Sequence, residues 1–319
     1  MATVTFGTLN LINKSIQKEW NDAVTKKTYA TKIARTEVKN THTFTLKWLH
    51  DTLKLAEYNI PAQPNKPATQ VFGGSKTYTM RDWARILTIR KQDIEDDDIG
   101  LHMTVLKEFA DALTSWTEEQ IVEILNNGET TICMTGENFF ANTHDVGGGA
   151  SATNDNLLAG TGTSDLQISA DFDTARVAML NYTNAQNIAR NIMPTMAMCP
   201  PELEMKFRRL LNSSYTTYQP AAGEAGQNAE NVFKGVLRDG VESDARFDDA
   251  NDWYLLSSTA SQAPFINAVK SGYENVKPIP KINITDDNVY YQDEFHWLIE
   301  THRIVVAGWP TYAIKVVNA

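Results

Sequence analysis

The sequence predicts an α+β fold on three observations. Helix-period and strand-period stretches are segregated along the chain instead of alternating. One apolar stripe at helical spacing runs from Ile99 to Asn126, and strand-like runs dominate the last third of the chain. A length of 319 residues corresponds to about two domains at roughly 150 residues each, and 42% hydrophobic residues are enough to bury a core in both.

The leading segment is basic. Residues 1–50 hold eight basic groups and three acidic ones, a balance of +5, while the remainder carries 21 against 36, or −15. The isolated apolar anchors Ile12, Ile16, Trp20, Ile33 and Phe44 suggest an arm that lies on another surface; charge alone leaves equally open a solvated helix and loop on the chain's own domain.

The stretch from Pro61 to Gly74, with three prolines and two glycines, excludes a helix and a central strand and is therefore a loop. Strand-like patterns flank it, THTFTLKWL before and KTYTMRDWARILTIR after, with Trp83, Leu87 and Ile89 on one parity. The expectation is an extended hairpin whose long loop reaches a partner.

The helix signal follows the acidic run Glu95 to Asp98. Ile99, Met103, Leu106, Ala110, Leu113 and Trp116 recur at three and four residues, Ile121, Ile124 and Leu125 resume the stripe, and Asn126, Asn127 and Gly128 stop it. Twenty-eight residues at ~1.5 Å each make a spine about 42 Å long, more than a small domain needs.

Beyond it lie a strand-like piece at Thr130 to Met134 and the segment GENFFANTHD. A low-complexity stretch from Gly147 to Ser164 reads as a flexible surface loop. A helix pattern covers Asp171 to Arg190; MPTMAMCPPELEMKFRRLLNSS reads as a strand leading into a helix that starts at Pro200 and Pro201; a Gly/Ala/Asn-rich loop runs from Gln219 to Asn231. The strand-like runs are NVFKGVLRD, DWYLLSS, NVYYQDEFHWLIETHRIVVAGW and TYAIKVV.

Composition excludes several function classes. A net charge of −10 argues against duplex DNA binding over the whole surface. The apolar stretch Ile304 to Trp309 is far short of the ~20 residues of a membrane span, and the N-terminus lacks the pattern of a secretory signal, so a cytoplasmic chain is expected. Cys133 and Cys199 suit a reducing compartment as small buried hydrophobes.

Chemistry-bearing patterns are weak. The acidic run Glu95 to Asp98 lacks the alternating ligands of a calcium loop, and capping of the following helix accounts for it. Gly160-Thr161-Gly162 and Gly73-Gly74-Ser75-Lys76 match no phosphate-binding spacing. His296 and His302 share a strand face without a third ligand and read as structural; His144 and Asp145 have no G-x-S-x-G elbow to serve. The aromatics Trp253, Tyr254, Tyr290, Tyr291, Phe295, Trp297, Trp309 and Tyr312 stand among acidic neighbours, which favours packing over base stacking. No catalytic, cofactor-binding or metal residue is assigned, and no cofactor or enzyme activity is expected.

The order of parts, namely basic arm, extended loop, spine helix, sheet-rich body and mixed second domain, resembles the Hong Kong 97-like fold of tailed-phage major capsid proteins. The sequence is most similar to the Mu-type major head subunits. The run ILTIRKQDIEDDDIGLHMTVLKEFADALTSWTEEQIVEILNNG at 86–128 and GENFFANTHD at 136–145 carry this resemblance, together with CPPELEMKFRRLL at 199–211, NVFKG at 231–235 and DANDWYLLSS at 249–258. The loop from Pro61 to Lys76 departs from the family in composition, and no lysine and asparagine pair is assignable to a covalent cross-link.

The resemblance implies an N-terminal arm (1–48), an extended loop (49–90), a peripheral domain (91–167) with spine helix 98–127, an axial domain (168–268) and C-terminal strands returning to the peripheral domain (269–319). It implies a structural protein of the virion, assembled in the host cytoplasm through hexamers and pentamers into an icosahedral shell. That shell would enclose double-stranded DNA without sequence-specific binding and would meet portal, scaffold and decoration proteins, with no membrane involved. Lys26, Lys27, Lys32, Trp48, Tyr58, Phe72, Tyr78 and Trp83 are the expected assembly interface. Two alternatives remain: an encapsulin-like cage around protein cargo, and an α+β enzyme without a recognised motif.

Overall fold

The computed structural model describes residues 6–24, 28–49, 72–96, 99–145, 153–184, 187–218, 227–259, 262–283 and 285–318. The elements that position the site are, in chain order, α1 (Phe6–Val24), β1 (Ala34–Lys39), β2 (Thr43–Leu49), β3 (Phe72–Thr79), β4 (Arg81–Arg90), α2 (Ile99–Asn126), β5 (Leu157–Ala159), α3 (Asp165–Asn181), β6 (Met196–Cys199), α4 (Pro201–Asn212), β7 (Gly240–Ser243), β8 (Trp253–Leu256), β9 (Phe265–Lys270), β10 (Ile279–Lys281), β11 (Glu294–Ala307) and β12 (Ala313–Val317). Helices and strands are segregated, as α+β requires.

The first sheet is organised by β11, which pairs antiparallel with β4, β9 and β10, while β1 joins β9 in parallel. β11 alternates strictly until its last turns, so Phe295, Trp297 and Ile299 face one core. Leu87 and Ile89 of β4 and Leu106 and Ala110 of α2 complete it, with Leu9, Ile12, Ile16 and Trp20 of α1.

The apolar anchors of the N-terminal segment thus lie on this chain's own body. Leu9, Ile12, Ile16 and Trp20 recur at three and four residues and form one stripe of α1, which packs along α2. The Trp20 indole donates to the Val276 carbonyl at 2.8 Å, Trp297 donates to Asn13 Oδ1 at 3.2 Å, and Lys107 pairs with Glu19 at 3.1 Å. Ile33 is buried beside Leu125 and Phe139, and Phe44 beside Val306.

The second sheet runs β7, β6, β8, β12, β5. Its outer pairs, β7 with β6 and β12 with β5, are parallel; the inner pairs are antiparallel. β12, the last strand of the chain, belongs here and not to the sheet of β11. Helices α3 and α4 cover one face through Phe172, Phe207, Leu210 and Leu211, with Trp253 edge-on to Phe207 at 5.0 Å. Pro200 is the N-cap and Pro201 the first residue of α4, where a missing N–H costs nothing. The C-terminal half of α2 joins the two bodies, since Ile121 and Leu125 pack on Met196, Met198, Tyr254 and Phe265.

Several local expectations are corrected. The run KTYTMRDWARILTIR is two strands, divided at buried Met80, because β3 pairs in the hairpin and β4 in the main sheet. α3 covers Asp165–Asn181 rather than 171–190: Ser164 and Gln167 form a capping box that starts it early, and Asn187 and Asn191 adopt positive φ beyond its end. Thr130 to Met134 contributes only a bridge between Ile132 and Asn138. Val232 to Gly235 is a run of turns, and NVYYQ forms the short helix Asp287–Gln292. Within 147–164, Asn156 is fully buried, and its amide donates to the carbonyls of Phe139, Pro310 and Ala313, so part of this stretch is core. In the loop expected at 219–231, residues 227–230 pair with Tyr215–Tyr218 and 219–226 lie outside the described residues.

Candidate assembly interface

β2 and β3 form the expected hairpin, in register from Thr43 opposite Thr79 to Trp48 opposite Gly74, with an irregularity before Leu49. Thr45 and Thr77 join hydroxyls across it at 2.9 Å on its exposed face. The other face anchors the hairpin root: Phe44 and Leu46 are buried with Met80, Ile266, Ala268 and Val306. The Lys76 ammonium donates to the Ile132 carbonyl, tying the hairpin to the turn after α2, and burial holds its pKa below the ordinary lysine range.

The structure places the eight expected interface residues unequally. Lys26, Lys27 and Tyr58 lie outside the described residues; Trp48 and Phe72 sit in β2 and β3, with their side chains outside the described set. Tyr78 is half-buried and stacks on Phe44 at 5.9 Å, with the Lys76 ammonium 5.2 Å from its ring centre. Its hydroxyl has no hydrogen-bond partner among the described residues, and burial raises its pKa. Trp83 lies elsewhere, at a groove between β4 and α2.

That groove, a cavity of about 430 Å³, is lined by Trp83, Arg85, Phe109, Leu113, Trp116 and Ile299 among others. Trp83 meets Trp116 edge-on at 5.1 Å and donates to the Arg303 carbonyl at 3.4 Å; the Arg85 guanidinium lies 5.4 Å from the Phe109 ring centre. The Arg303 guanidinium packs 5.8 Å from the Trp116 ring centre, and burial pulls its pKa down to about 10.

Lys32, expected at a contact between copies, pairs with Glu242 of its own chain at 2.7 Å. It belongs to a polar seam joining the N-terminal segment, α2 and the second sheet. Tyr29 donates to Asp244 Oδ2 at 2.6 Å, and Arg246 donates from Nε to Asp244 Oδ1 at 2.8 Å while lying 3.6 Å from Glu118. Burial pushes the Asp244 carboxyl up, but the hydrogen bonds from Arg246 and Tyr29 outweigh it and leave the pKa below its ordinary value. The Tyr29 hydroxyl is driven upward by burial and by Asp244.

The remaining candidates resolve into structure. His144 is buried, with Nε2 3.1 Å from Asn156 Oδ1 and 3.2 Å from the Phe139 carbonyl, and burial lowers its pKa; it holds the GENFFANTHD segment against the core. Glu95 ends the short helix Lys91–Glu95, Asp96 caps that end, and residues 97 and 98 lie outside the described set. Cys133 and Cys199 are free and buried, which raises both thiols, Cys199 to about 12. Trp253, Tyr254, Phe295, Trp297 and Tyr312 are core residues, whereas Tyr290 and Tyr291 are exposed. His296 and His302 do share a face of β11 but not a site: His296 lies 3.2 Å from Glu294, and His302 meets Asp82 of β4 and His42 of the turn before β2. No described helix is long and apolar enough to cross a membrane.

A family model described as phage capsid protein matches residues 74–316. The Mu-like prophage FluMu major head subunit of Haemophilus influenzae is 26% identical over 155 residues, 48% of this chain and 49% of that protein. The match thus spans about half the length of that relative. Among solved structures, the procapsid of bacteriophage JBD30 aligns over 99% of this chain and 77% of its own, at a TM-score of 0.56 and 19% identity. A virus-like particle from Pyrococcus furiosus aligns over 95% and 98%, at a TM-score of 0.56 and 12% identity. At these identities the two structures are likenesses of fold.

Proposed function

The chain belongs to the phage capsid protein family and has its Hong Kong 97-like fold, and from that membership we propose that it is the major head subunit of a tailed phage. Copies assemble through hexamers and pentamers into an icosahedral shell around double-stranded DNA, which the shell holds without reading its sequence. The observation that carries this reading is the family match over residues 74–316, which takes in most of β3 of the hairpin, the spine helix α2, and both sheets apart from β1. The subunit acts as a building block of the virion and not as an enzyme. Assembly in the host cytoplasm, with portal, scaffold and decoration proteins as further partners, belongs to the same reading.

The body around β6, β8 and α4 is the axial domain of this subunit, and the sheet of β11 with α1 and α2 its peripheral domain. Hairpin residues Trp48, Tyr58, Phe72 and Tyr78, the groove at Trp83, and the basic Lys26, Lys27 and Lys32 form the contacts between copies. The physical support is the hairpin, ordered at its root by the buried Phe44 and Leu46, together with the apolar groove at Trp83.

The fold likeness to a virus-like particle favours one second reading, a cage around protein cargo. Size-exclusion chromatography and electron microscopy of the full chain test both. The expected result is capsomers or shells of megadalton size; a monodisperse species with the mass of one chain at micromolar concentration overturns the shell. Particles from infected or induced cells that hold protein cargo instead of DNA favour the cage.

A further inference from the structure

At the root of the hairpin three side chains from separate parts of the chain converge. Asp82 of β4 stands directly opposite His302 of β11 in the antiparallel ladder, so the register itself brings their side chains to one spot. His42 comes from the turn between β1 and β2, where its carbonyl accepts the Met80 N–H at 2.9 Å and fixes the turn against β4. Both histidines direct Nδ1 at the same atom, Asp82 Oδ1: His302 makes a close contact with it, and His42 lies 3.8 Å away, beyond hydrogen-bond reach. One ligand atom from each residue falls within 4.8 Å of the other two.

We propose that His42, Asp82 and His302 are the protein ligands of a divalent transition-metal ion, zinc by preference, that pins the hairpin root to the main sheet. Two imidazoles and one carboxylate form a borderline-soft donor set suited to zinc, with a fourth position open to water. Bonds of about 2.0–2.1 Å place tetrahedral ligand atoms roughly 3.3 Å apart, so the observed triangle closes by small rotamer adjustments. The exposed Asp82 carboxylate and the His42 ring have room for them, since Asp82 and His42 expose 67% and 41% of their side chains.

The surroundings orient the cluster. The Tyr273 ring stands edge-on to His302 at 4.3 Å and orients it, and the Tyr273 hydroxyl donates to Glu300 at 3.3 Å. The neighbouring cation, Lys270, has its ammonium 5.9 Å from the Tyr273 ring centre. A metal here would tie β4, β11 and the β1–β2 turn together, and so set the angle at which the hairpin leaves the body.

The test uses untagged full-length chain freed of metal by chelator and titrated with zinc chloride by calorimetry, with cobalt chloride as the optical probe. Expected are one zinc ion per chain and the visible absorption of low-symmetry cobalt, with affinity reduced about tenfold or more by Asp82→Asn and by His302→Ala. Zinc should also slow amide exchange in 43–49 and 72–79. If either substitution disturbs folding, His42→Gln on the turn supplies the same comparison. Absence of saturable one-to-one binding overturns the proposal, as does binding unchanged in the double variant His42→Gln, Asp82→Asn. None of these readouts depends on shell assembly, so failure here leaves the proposed function standing.

Discussion

The Lys315 ammonium lies 3.0 Å from Asp252 Oδ2, both side chains being under a tenth exposed, so β12 is held to the start of β8 by a buried ion pair. Glu129, after α2, accepts from the same ammonium at 2.6 Å. The C-terminal strand is therefore locked electrostatically to the second sheet and to the end of the spine helix.

Breaking this pair from the lysine side leaves the Asp252 carboxylate buried without its cation. Lys315→Met is expected to cost about 3–5 kcal/mol in urea unfolding at neutral pH. Burial pulls the Lys315 pKa down, but the hydrogen bonds to Glu129 and Asp252 outweigh it and leave it raised. A raised lysine contributes stability that is complete below its unfolded value of ~10.4 and is lost as pH rises through the folded value. The gap between wild type and Lys315→Met should therefore narrow above that pH; a gap independent of pH would refute the assignment.

The polar seam at Asp244 has the opposite sign. Its depressed pKa contributes stability that is present above the unfolded carboxylate value of ~3.9 and is lost as pH falls through the folded value. Asp244→Asn should lower stability at neutral pH by roughly 1–2 kcal/mol, discounted because Arg246 is partly solvent-screened, and flatten the acid limb of the stability curve. Chemical denaturation from pH 3 to 7 reads this directly; an unchanged acid limb would count against it.

Trp20 is buried in this chain's own core, so Trp20→Ala should destabilise the subunit before any shell forms, by about 3–5 kcal/mol. The measurement is urea unfolding of unassembled protein. A loss confined to assembly, with subunit stability unchanged, would return α1 to the role of an arm on a neighbour.

Charge reversal at Lys26, Lys27 and Lys32 to Glu should weaken shell assembly even without DNA. Because Lys32 already pairs with Glu242, the control is the swap Lys32→Glu with Glu242→Lys, which restores that pair within the chain and leaves Lys26 and Lys27 intact. Normal empty shells from the triple variant, with failure only at DNA packaging, would make this segment a DNA contact instead.

What local pattern encodes was legible without the fold. The spine helix was bounded at Ile99 and Asn126 because its apolar residues recur every three or four positions and Asn-Asn-Gly ends the recurrence. Pro200 and Pro201 marked the start of α4, and the ordered motifs from Ile86 to Ser258 carried the family, since each is a short-range signal.

Tertiary structure alone decided destinations. Periodicity shows that Ile12, Ile16 and Trp20 form an apolar face but not which surface covers it, and only packing on α2 and β11 placed that face at home. KTYTMRDWARILTIR reads as one strand until pairing assigns its halves to different partners. His302 looked closest to His296 in sequence, yet six residues along a strand separate ligands by roughly 20 Å at ~3.3 Å per residue. The register of β11 against β4 set it instead opposite Asp82, 220 residues away, because cross-strand neighbours are chosen by hydrogen-bonded pairing and not by distance along the chain.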